Sequence, residues 1–422
     1  MQRIVGTIFG KASVKVAQFK GGSGQALPGL LVEKLLPGYL SAMLRQLSEG
    51  VTIVTGTNGK TTTTKMIVEL LTANGKKVLT NPSGSNMTRG INSALIHQAH
   101  LNGRLLFDLA VLELDEAYAR QFVRAVKPRW VVALNVTRDQ LDRFGEVDSA
   151  ASMIIETMRA ATVGIVTNAD DTRLLQAAHA LRPKELAVFG VSNDLRQFFP
   201  SDSELVAVEK KPMAESEALQ EVQLVHFDGQ KVTYKLAGKQ YTASLQLNGQ
   251  HNFQNAAAAL ALVRRLLPKV SDASLVSQLS TVQPAFGRGQ LFALQNGGSV
   301  RLVLVKNPSG FRQALASYLP TTEPIMIAIN DNIADGRDVS WLWDVDFASL
   351  QKSIIACTTG KRAADMALRL QYDTCRVEVV EPDLAKALGA FCALPGDKLL
   401  FATYTAMTWL HKTLEQQAGK TL

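Results

Sequence analysis

Between positions 51 and 191, short apolar runs alternate with stretches whose apolar residues recur every three or four positions. The pattern predicts strands at 51–55, 76–81, 109–114, 129–135, 163–169 and 185–191, with helices at 60–74, 87–101, 116–125, 147–160 and 172–181 between them. Runs such as LAVLEL and WVVALN are almost continuously apolar, so both faces of these strands must be covered. Strands of that kind alternating with amphipathic helices make an α/β fold with a parallel sheet. In such sheets ligands bind beyond the carboxyl ends of the strands.

From 191 to 248 the alternation breaks. A polar, irregular stretch is followed by VQLVHFDGQKVTYKLAGKQYTASLQL, which reads as a β-meander with turns at Asp228-Gly229 and at Ala237-Gly238-Lys239, an inserted β-element. NGQHNFQNAAAALALVRRLL returns to helix. After VQPAFGRGQ a second, smaller α/β unit is predicted. It has a hairpin across Asn296-Gly297, strands at 300–305, 324–330, 353–358, 376–380 and 398–403, helices at 309–318, 361–371 and 382–393, and a last helix to about 417. Residues 21–50 predict two short helices, with Pro28 and Pro37 suited to first-turn positions. The expected organisation is a lead-in segment at 1–50, a central domain at 51–284 carrying the 191–248 insertion, and a Rossmann-like C-terminal domain at 285–422.

The 422 residues are 46% hydrophobic and 19% charged, a composition able to bury real cores. No apolar run is long enough to span a membrane, and the first residues mix polar and basic side chains among apolar ones, unlike a signal peptide. A cytoplasmic location is expected, extending to the inner face of the cell membrane. The three cysteines, Cys357, Cys375 and Cys392, show no C-x-x-C spacing, which excludes a Cys₄ zinc site and a disulfide scaffold. The net charge is +8, and residues 1–50 hold six basic against two acidic side chains. Interleaved with apolar residues, these charges suit a pyrophosphate or an anionic membrane surface, with a solvated face as the competing reading; no nucleic-acid partner is expected.

The candidate chemistry begins at VTIVTGTNGKTTTT, residues 51–64. A strand, a loop with Gly56 and Gly59, and a helix opening at Lys60 make a phosphate cradle: backbone N–H groups, the helix N-terminus and a lysine converge on an anion. Gly56, Thr57, Asn58, Gly59, Lys60, Thr61 and Thr62 are the candidate contacts, with the Thr61 hydroxyl directed at magnesium. The full Walker spacing is absent, because Val54 stands where its first glycine would be. Acids cluster at three strand ends: Glu113, Asp115 and Glu116; Asp139 and Asp142 beyond Asn135 and Thr137; and Asp170 and Asp171 beyond Asn168. Glu113 is the first choice to complete a Mg2+ site, with helix capping the competing reading for any single acid. Asn252 and Asn255 have the chemistry to read an adenine edge or to cap their helix. Arg288 stands in the predicted hinge, where it would reach a terminal phosphate on domain closure. DNIADGRDVSWLWDVDF sets Asp331, Asp335, Asp338, Asp344 and Asp346 beside Trp341 and Trp343, either an interface or a turn whose tryptophans fill the core.

In order and spacing, TGTNGKTTTTK, NPSGSNMTRGINSAL, Glu113, NVTRDQLDRFGE, TNADD, GQHNFQNAAAALA and FGRGQ resemble the central and linker regions of the Mur ligases and folylpolyglutamate synthases. Those enzymes join a carboxylate to an amine through an acyl phosphate made from ATP. LVKNPSGFRQAL, AINDNIADGRDVSWLWDVDF and TYTAM are similar more narrowly to the MurT family, the synthetase subunits of lipid II isoglutaminyl synthase, and so is the GGSG…LPG lead-in. The departures from the amino-acid-adding ligases agree. Gln140 and Phe144 replace the histidines of their D-H-L-D-x-H-G segment, no lysine lies between Lys127 and Lys184, and VKNP with Lys306 stands in place of an aspartate motif. The four-cysteine zinc ribbon that several MurT proteins insert has no counterpart in 191–248, so zinc is not expected.

The resemblance implies ATP- and Mg2+-dependent amidation of the α-carboxylate of D-glutamate in the lipid II stem peptide. Gly59, Lys60 and Thr61 would cradle phosphates and metal, Glu113 would bind Mg2+, Asn252 and Asn255 would contact the adenine end, and Arg288 would face the γ-phosphate. Ammonia would come from a GatD-type class I glutamine amidotransferase, whose catalytic triad would be completed by Asp335, or by Asp338 as second choice. Two other readings are a stand-alone Mur or folylpolyglutamate-type amino-acid ligase, which the missing lysine disfavours, and a non-catalytic nucleotide-binding scaffold.

Overall fold

The computed structural model of the chain describes residues 2–19, 27–81, 87–137, 147–199, 220–247, 249–283, 288–295 and 297–418. The described residues to Gln246 and from His251 to Val282 form one compact unit, and those from Gln283 onward, with Leu247, Gly249 and Gln250, form a second.

The first unit is built on strands β1 (Val51–Thr55), β2 (Val78–Leu79), β3 (Leu109–Glu113), β4 (Trp130–Ala133), β5 (Gly164–Asn168), β6 (Glu185–Val191), β7 (Val222–Asp228), β8 (Lys231–Leu236) and β9 (Lys239–Ser244). They form one sheet in the order β2-β3-β1-β4-β5-β6-β7-β8-β9. Every residue of β1, β3, β4 and β5 is buried, as the continuous apolar runs require. Helices α4 (Lys60–Ala73), α5 (Thr88–Gln98), α6 (Glu116–Ala125), α7 (Val147–Arg159) and α8 (Thr172–Leu181) connect successive strands up to β6. The strand order turns back on itself at β1, which has β3 on one side and β4 on the other. A crevice at such a switch point is where open α/β sheets bind ligands.

The meander is a continuation of this sheet rather than a separate element. β7 pairs in parallel with β6, Phe189 opposite Val222, and β8 and β9 follow as antiparallel hairpins. The predicted strand at 76–81 shrinks to two residues at the sheet edge, where only β3 holds it.

Ahead of β1 lie α1 (Gln2–Phe19), α2 (Leu27–Leu35) and α3 (Tyr39–Leu44). The α1 helix was not predicted by the pattern, and its glycines explain why: Gly6 and Gly10 weaken intrinsic helix propensity. What they provide is close approach. A Cβ at Gly6 would lie 2.3 Å from the Tyr39 ring, and one at Gly10 would lie 2.7 Å from Ile96. Val14, Val32 and Tyr39 thereby join the core of Ile53, Ile91, Leu95 and Leu112. Helices α9 (Gln250–Leu266) and α10 (Asp272–Gln278) complete the unit.

The second unit contains β10 (Arg288–Ala293), β11 (Ser299–Leu304), β12 (Ile325–Ala328), β13 (Ile355–Thr359), β14 (Val377–Glu381) and β15 (Lys398–Ala402), in the order β10-β11-β15-β12-β13-β14. Its helices are α11 (Pro308–Tyr318), α12 (Ala363–Tyr372), α13 (Leu384–Ala393) and α14 (Tyr404–Ala418). Period-two alternation sorts its strands onto two cores. Ile325, Ile327, Leu399 and Phe401 face one with Phe311, Trp341 and Phe347, while Met326, Ala328, Leu400 and Ala402 face the other with Phe391 and Leu410. The cysteines belong to this packing: burial pushes the Cys357 thiol up, and that of Cys375 up to about 11.

Candidate active site

The loop between β1 and α4 is held by its own sheet. Gly59 takes φ +86°, and a Cβ there would lie 2.2 Å from the Asn255 side-chain oxygen, so only glycine fits. The Thr57 amide donates to the Asn135 carbonyl at 3.0 Å, and the Asn58 amide donates to Asn135 Oδ1 at 2.9 Å. Asn135 Nδ2 returns a bond to the Asn58 carbonyl at 3.1 Å. Asn58 Nδ2 and the Thr137 amide then pair with Thr137 Oγ1 and Thr57 Oγ1, at 3.0 and 3.1 Å. The residues just beyond β4 therefore clamp the loop. Sequence reasoning placed Asn135 and Thr137 at a strand end without that role, because it depends on β4 lying directly beside β1.

Lys60 is buried, and its ammonium donates to the carbonyls of Gly56 and Thr57. Glu116 Oε1 lies 3.6 Å from it. Thr61 Oγ1 donates to Glu113 Oε1 at 2.8 Å. The register explains the meeting: Val54 lies opposite Glu113 across the β1–β3 ladder, so the carboxylate emerges beside the first turn of α4. Asn81, which the sequence reading missed, fixes the Glu113 backbone in both directions, accepting from its amide at 3.0 Å and donating to its carbonyl at 2.9 Å. Its signal was an asparagine just past the neighbouring strand. A threonine hydroxyl and a carboxylate beside a lysine and a helix N-terminus are a donor set that fits magnesium and a polyphosphate.

Helix α9 closes onto the loop. Asn252 and Asn255 are buried, Asn255 against Gly59, and Asn255 Nδ2 donates to Asn252 Oδ1 at 3.3 Å. The β-extension places this helix: the Tyr234 hydroxyl donates to the Phe253 carbonyl at 2.9 Å. At the β5 end the acids are internal ties. Asp171 caps α8 by accepting from the Leu174 amide at 3.1 Å and also accepts from the Val136 amide at 2.7 Å. Burial pushes its carboxyl above the usual range. Asp170 accepts from the Val191 amide at 3.0 Å and from Gln254 Nε2 at 2.8 Å. Asp139, Gln140, Asp142 and Phe144 lie outside the described residues, as do residues 82–86 and 200–219. Arg288 opens β10 of the second unit, and its side chain is likewise outside them.

In the second unit the aspartates of the tryptophan-rich segment divide. Asp335 is buried, and its carboxylate accepts from the Thr405 amide at 2.7 Å, the Thr405 hydroxyl at 2.5 Å and the Asn332 amide at 3.1 Å. Desolvation pushes its carboxyl up. Asp338 is half-buried, accepts from the Ser340 amide at 2.8 Å, and lines a surface groove of about 340 Å³ with Arg337, Ser340, Trp343, Asp365 and Leu368. The tryptophans divide too. Trp341 packs in the core against Phe311, whereas Trp343 is 51% exposed and meets the Tyr372 ring edge-on at 5.1 Å. Arg369, also missed in the sequence, is buried behind the segment. It donates to the carbonyls of Leu342 at 3.2 Å and Val345 at 2.6 Å and lies over the rings of Trp343 and Phe347.

Comparison with known proteins separates the two units. The family profile described as the Mur ligase middle domain matches residues 54–263, and the one described as the MurT ligase C-terminal domain matches residues 304–407. The "Lipid II isoglutaminyl synthase (glutamine-hydrolyzing) subunit MurT" of Staphylococcus aureus is 29% identical to the chain, covering 94% of each. The chain belongs to the MurT branch of the Mur ligases. The Streptococcus pneumoniae MurT subunit of the same description is also 29% identical, over 88% of this chain and 87% of its own. The fold agrees: a MurF ligase from Thermotoga maritima, solved in complex with ADP, superposes with a TM-score of 0.64 at 17% identity, covering 94% of this chain and 85% of that one. In MurT terms the clamped loop belongs to the matched middle domain, and the aspartate segment belongs to the matched C-terminal domain.

Proposed function

We propose that this chain is the synthetase subunit of a glutamine-dependent ligase that amidates the α-carboxylate of D-glutamate in the lipid II stem peptide, at the inner face of the membrane. The observation that carries the reading is the Thr61 hydroxyl bonded to Glu113 at 2.8 Å beside the buried Lys60. A carboxylate resists ammonia; MgATP, when bound, supplies the phosphoryl group that turns one carboxylate oxygen into a leaving group, so that ammonia forms the C–N bond as phosphate departs. The residues' share is positional and electrostatic. Lys60 would exchange the loop carbonyls for phosphate oxygens, Thr61 and Glu113 would hold the metal, and the Asn135 and Thr137 clamp, which takes up the Thr57 and Asn58 amides, fixes the path of the loop into α4. Asn255, packed on Gly59, fixes the loop from the side of α9, and Asn252 orients it; the adenine edge is the polar surface these amides would read.

Ammonia in this reading comes from a GatD-type glutamine amidotransferase. For the partner's triad the sequence puts Asp335 first and Asp338 second; the reading taken forward is Asp338. It opens into the groove beside the exposed Trp343, whereas Asp335 is spent on Thr405 and Asn332. In a pair reconstituted with such a partner, Lys60→Ala should abolish amidation with glutamine and with free ammonia alike. Asp338→Asn should lose glutamine use by about 100-fold or more while retaining ammonia use, as loss of an imidazole-orienting carboxylate does elsewhere. Full activity of Lys60→Ala would overturn the ligase reading, and unimpaired glutamine use by Asp338→Asn would overturn its role.

A further inference from the structure

Helix α1 has two apolar sides, and only one has a partner among the described residues. Gly6, Thr7, Gly10 and Val14 are buried on one side, against Tyr39 and Ile96 and through the Thr7–Tyr39 hydroxyl pair at 3.0 Å. On the opposite side of the helical wheel, Ile4, Val5, Ile8 and Phe9 are 45, 48, 51 and 38% exposed, and exposed Ala12 continues the stripe. Lys11 and Lys15 border that stripe, and Arg3 stands near its start. Lys11 donates to the His97 carbonyl at 3.3 Å, and none of the three cations has a carboxylate partner among the described residues. No Asp or Glu occurs in residues 1–32. The turn at Gly103 packs against Arg3 and brings exposed Leu101 and Arg104 to the same end of the helix.

We infer that this face of α1 docks in the plane of an anionic bilayer. Four contiguous branched and aromatic side chains would enter the boundary between headgroups and acyl chains, with lysines at the flank to meet phosphate. A protein partner complementary to this surface would have to match cations with acids around an apolar strip; a lipid surface supplies both without any fixed pattern. No described helix is long and apolar enough to cross a membrane, so the contact lies on the surface. The inference gives the proposed lipid-linked substrate a meeting place, and rests on that reading only for its purpose, since vesicle binding needs neither nucleotide nor stem peptide.

The test is flotation of the full chain, alone and reconstituted with its amidotransferase partner, with vesicles of phosphatidylcholine containing or lacking phosphatidylglycerol. Binding to the anionic vesicles should fall about 10-fold or more in Ile8→Glu/Phe9→Glu, and comparably in Lys11→Glu/Lys15→Glu or at high salt. Thermal unfolding and ATP-dependent amidation of a soluble, lipid-free stem substrate should stay at the level of the parent chain. Absence of binding by the parent chain, binding indifferent to both double substitutions, or loss of binding when the partner or a second copy covers α1 would each overturn the inference.

Discussion

Removing the buried Asp335 carboxylate leaves the half-buried amides of Thr405 and Asn332 without their acceptor. Asp335→Ala should therefore cost about 2–3 kcal/mol of stability, read as a lowered midpoint in denaturant, while Asp338→Ala should stay within about 0.5 kcal/mol. Equal costs would show that both aspartates are structural. Asp335 also sets a direction for pH. Its folded carboxyl lies above the unfolded value of 3.8, so the native state holds the proton more tightly. Its contribution to stability is full below the unfolded pKa and declines as pH rises through the folded one. Asp373 acts oppositely: its bond to Arg369 lowers its carboxyl, and that contribution is lost as pH falls. Asp335→Asn should remove the first component and leave the second. At this scale sequence reading saw the chemistry but not its use. Asp335 and Asp338 differ by three positions, and only the bond from α14 tells the buried one from the one that faces the groove.

Helix α4 begins at a residue in the left-handed region, and Gly59→Ala combines backbone strain of about 1 kcal/mol with a collision against Asn255. Nucleotide affinity should fall at least about 10-fold. Gly75, past the other end of α4, has φ +84° and nothing within 4 Å of a built Cβ. Gly75→Ala should thus lose similar stability with nucleotide affinity intact, and titration calorimetry on both variants separates loop geometry from general strain. Elements are where the pattern was most legible: the helices at 116–125 and 172–181 and the strands at 51–55 and 185–191 match the structure at both ends. Long periodic segments announce themselves because burial of one face decides them. Helix α1 did not, since its packing depends on glycines, and the pairing of β7 with β6 did not, since adjacency in a sheet is a long-range property.

At the scale of the molecule, each unit has its own core, and the loop, Glu113 and the α9 asparagines of the proposed nucleotide site belong to the first. Saturating MgATP should add about 2.7 kcal/mol at a hundredfold excess over Kd. Hydrogen exchange should slow at the loop after β1, the start of α4, the end of β3 and the start of α9, and Lys60→Ala should abolish both effects. Slowing spread evenly over both units would contradict that location. The loop was legible because its glycine, lysine and threonine are adjacent in sequence. The clamp from Asn135 and Thr137 was not, because it joins two strands about 80 positions apart that meet only when the sheet closes.

The segment bearing Asp338 and Trp343 is buckled at one end by the buried Asp335 and at the other by Arg369. Its shape is therefore set before any partner arrives. An encounter with an amidotransferase would not have to wait for this strand of chain to order itself, and the entropy of ordering would not be charged against the complex. Collision geometry and long-range charge would then govern how fast the two subunits join.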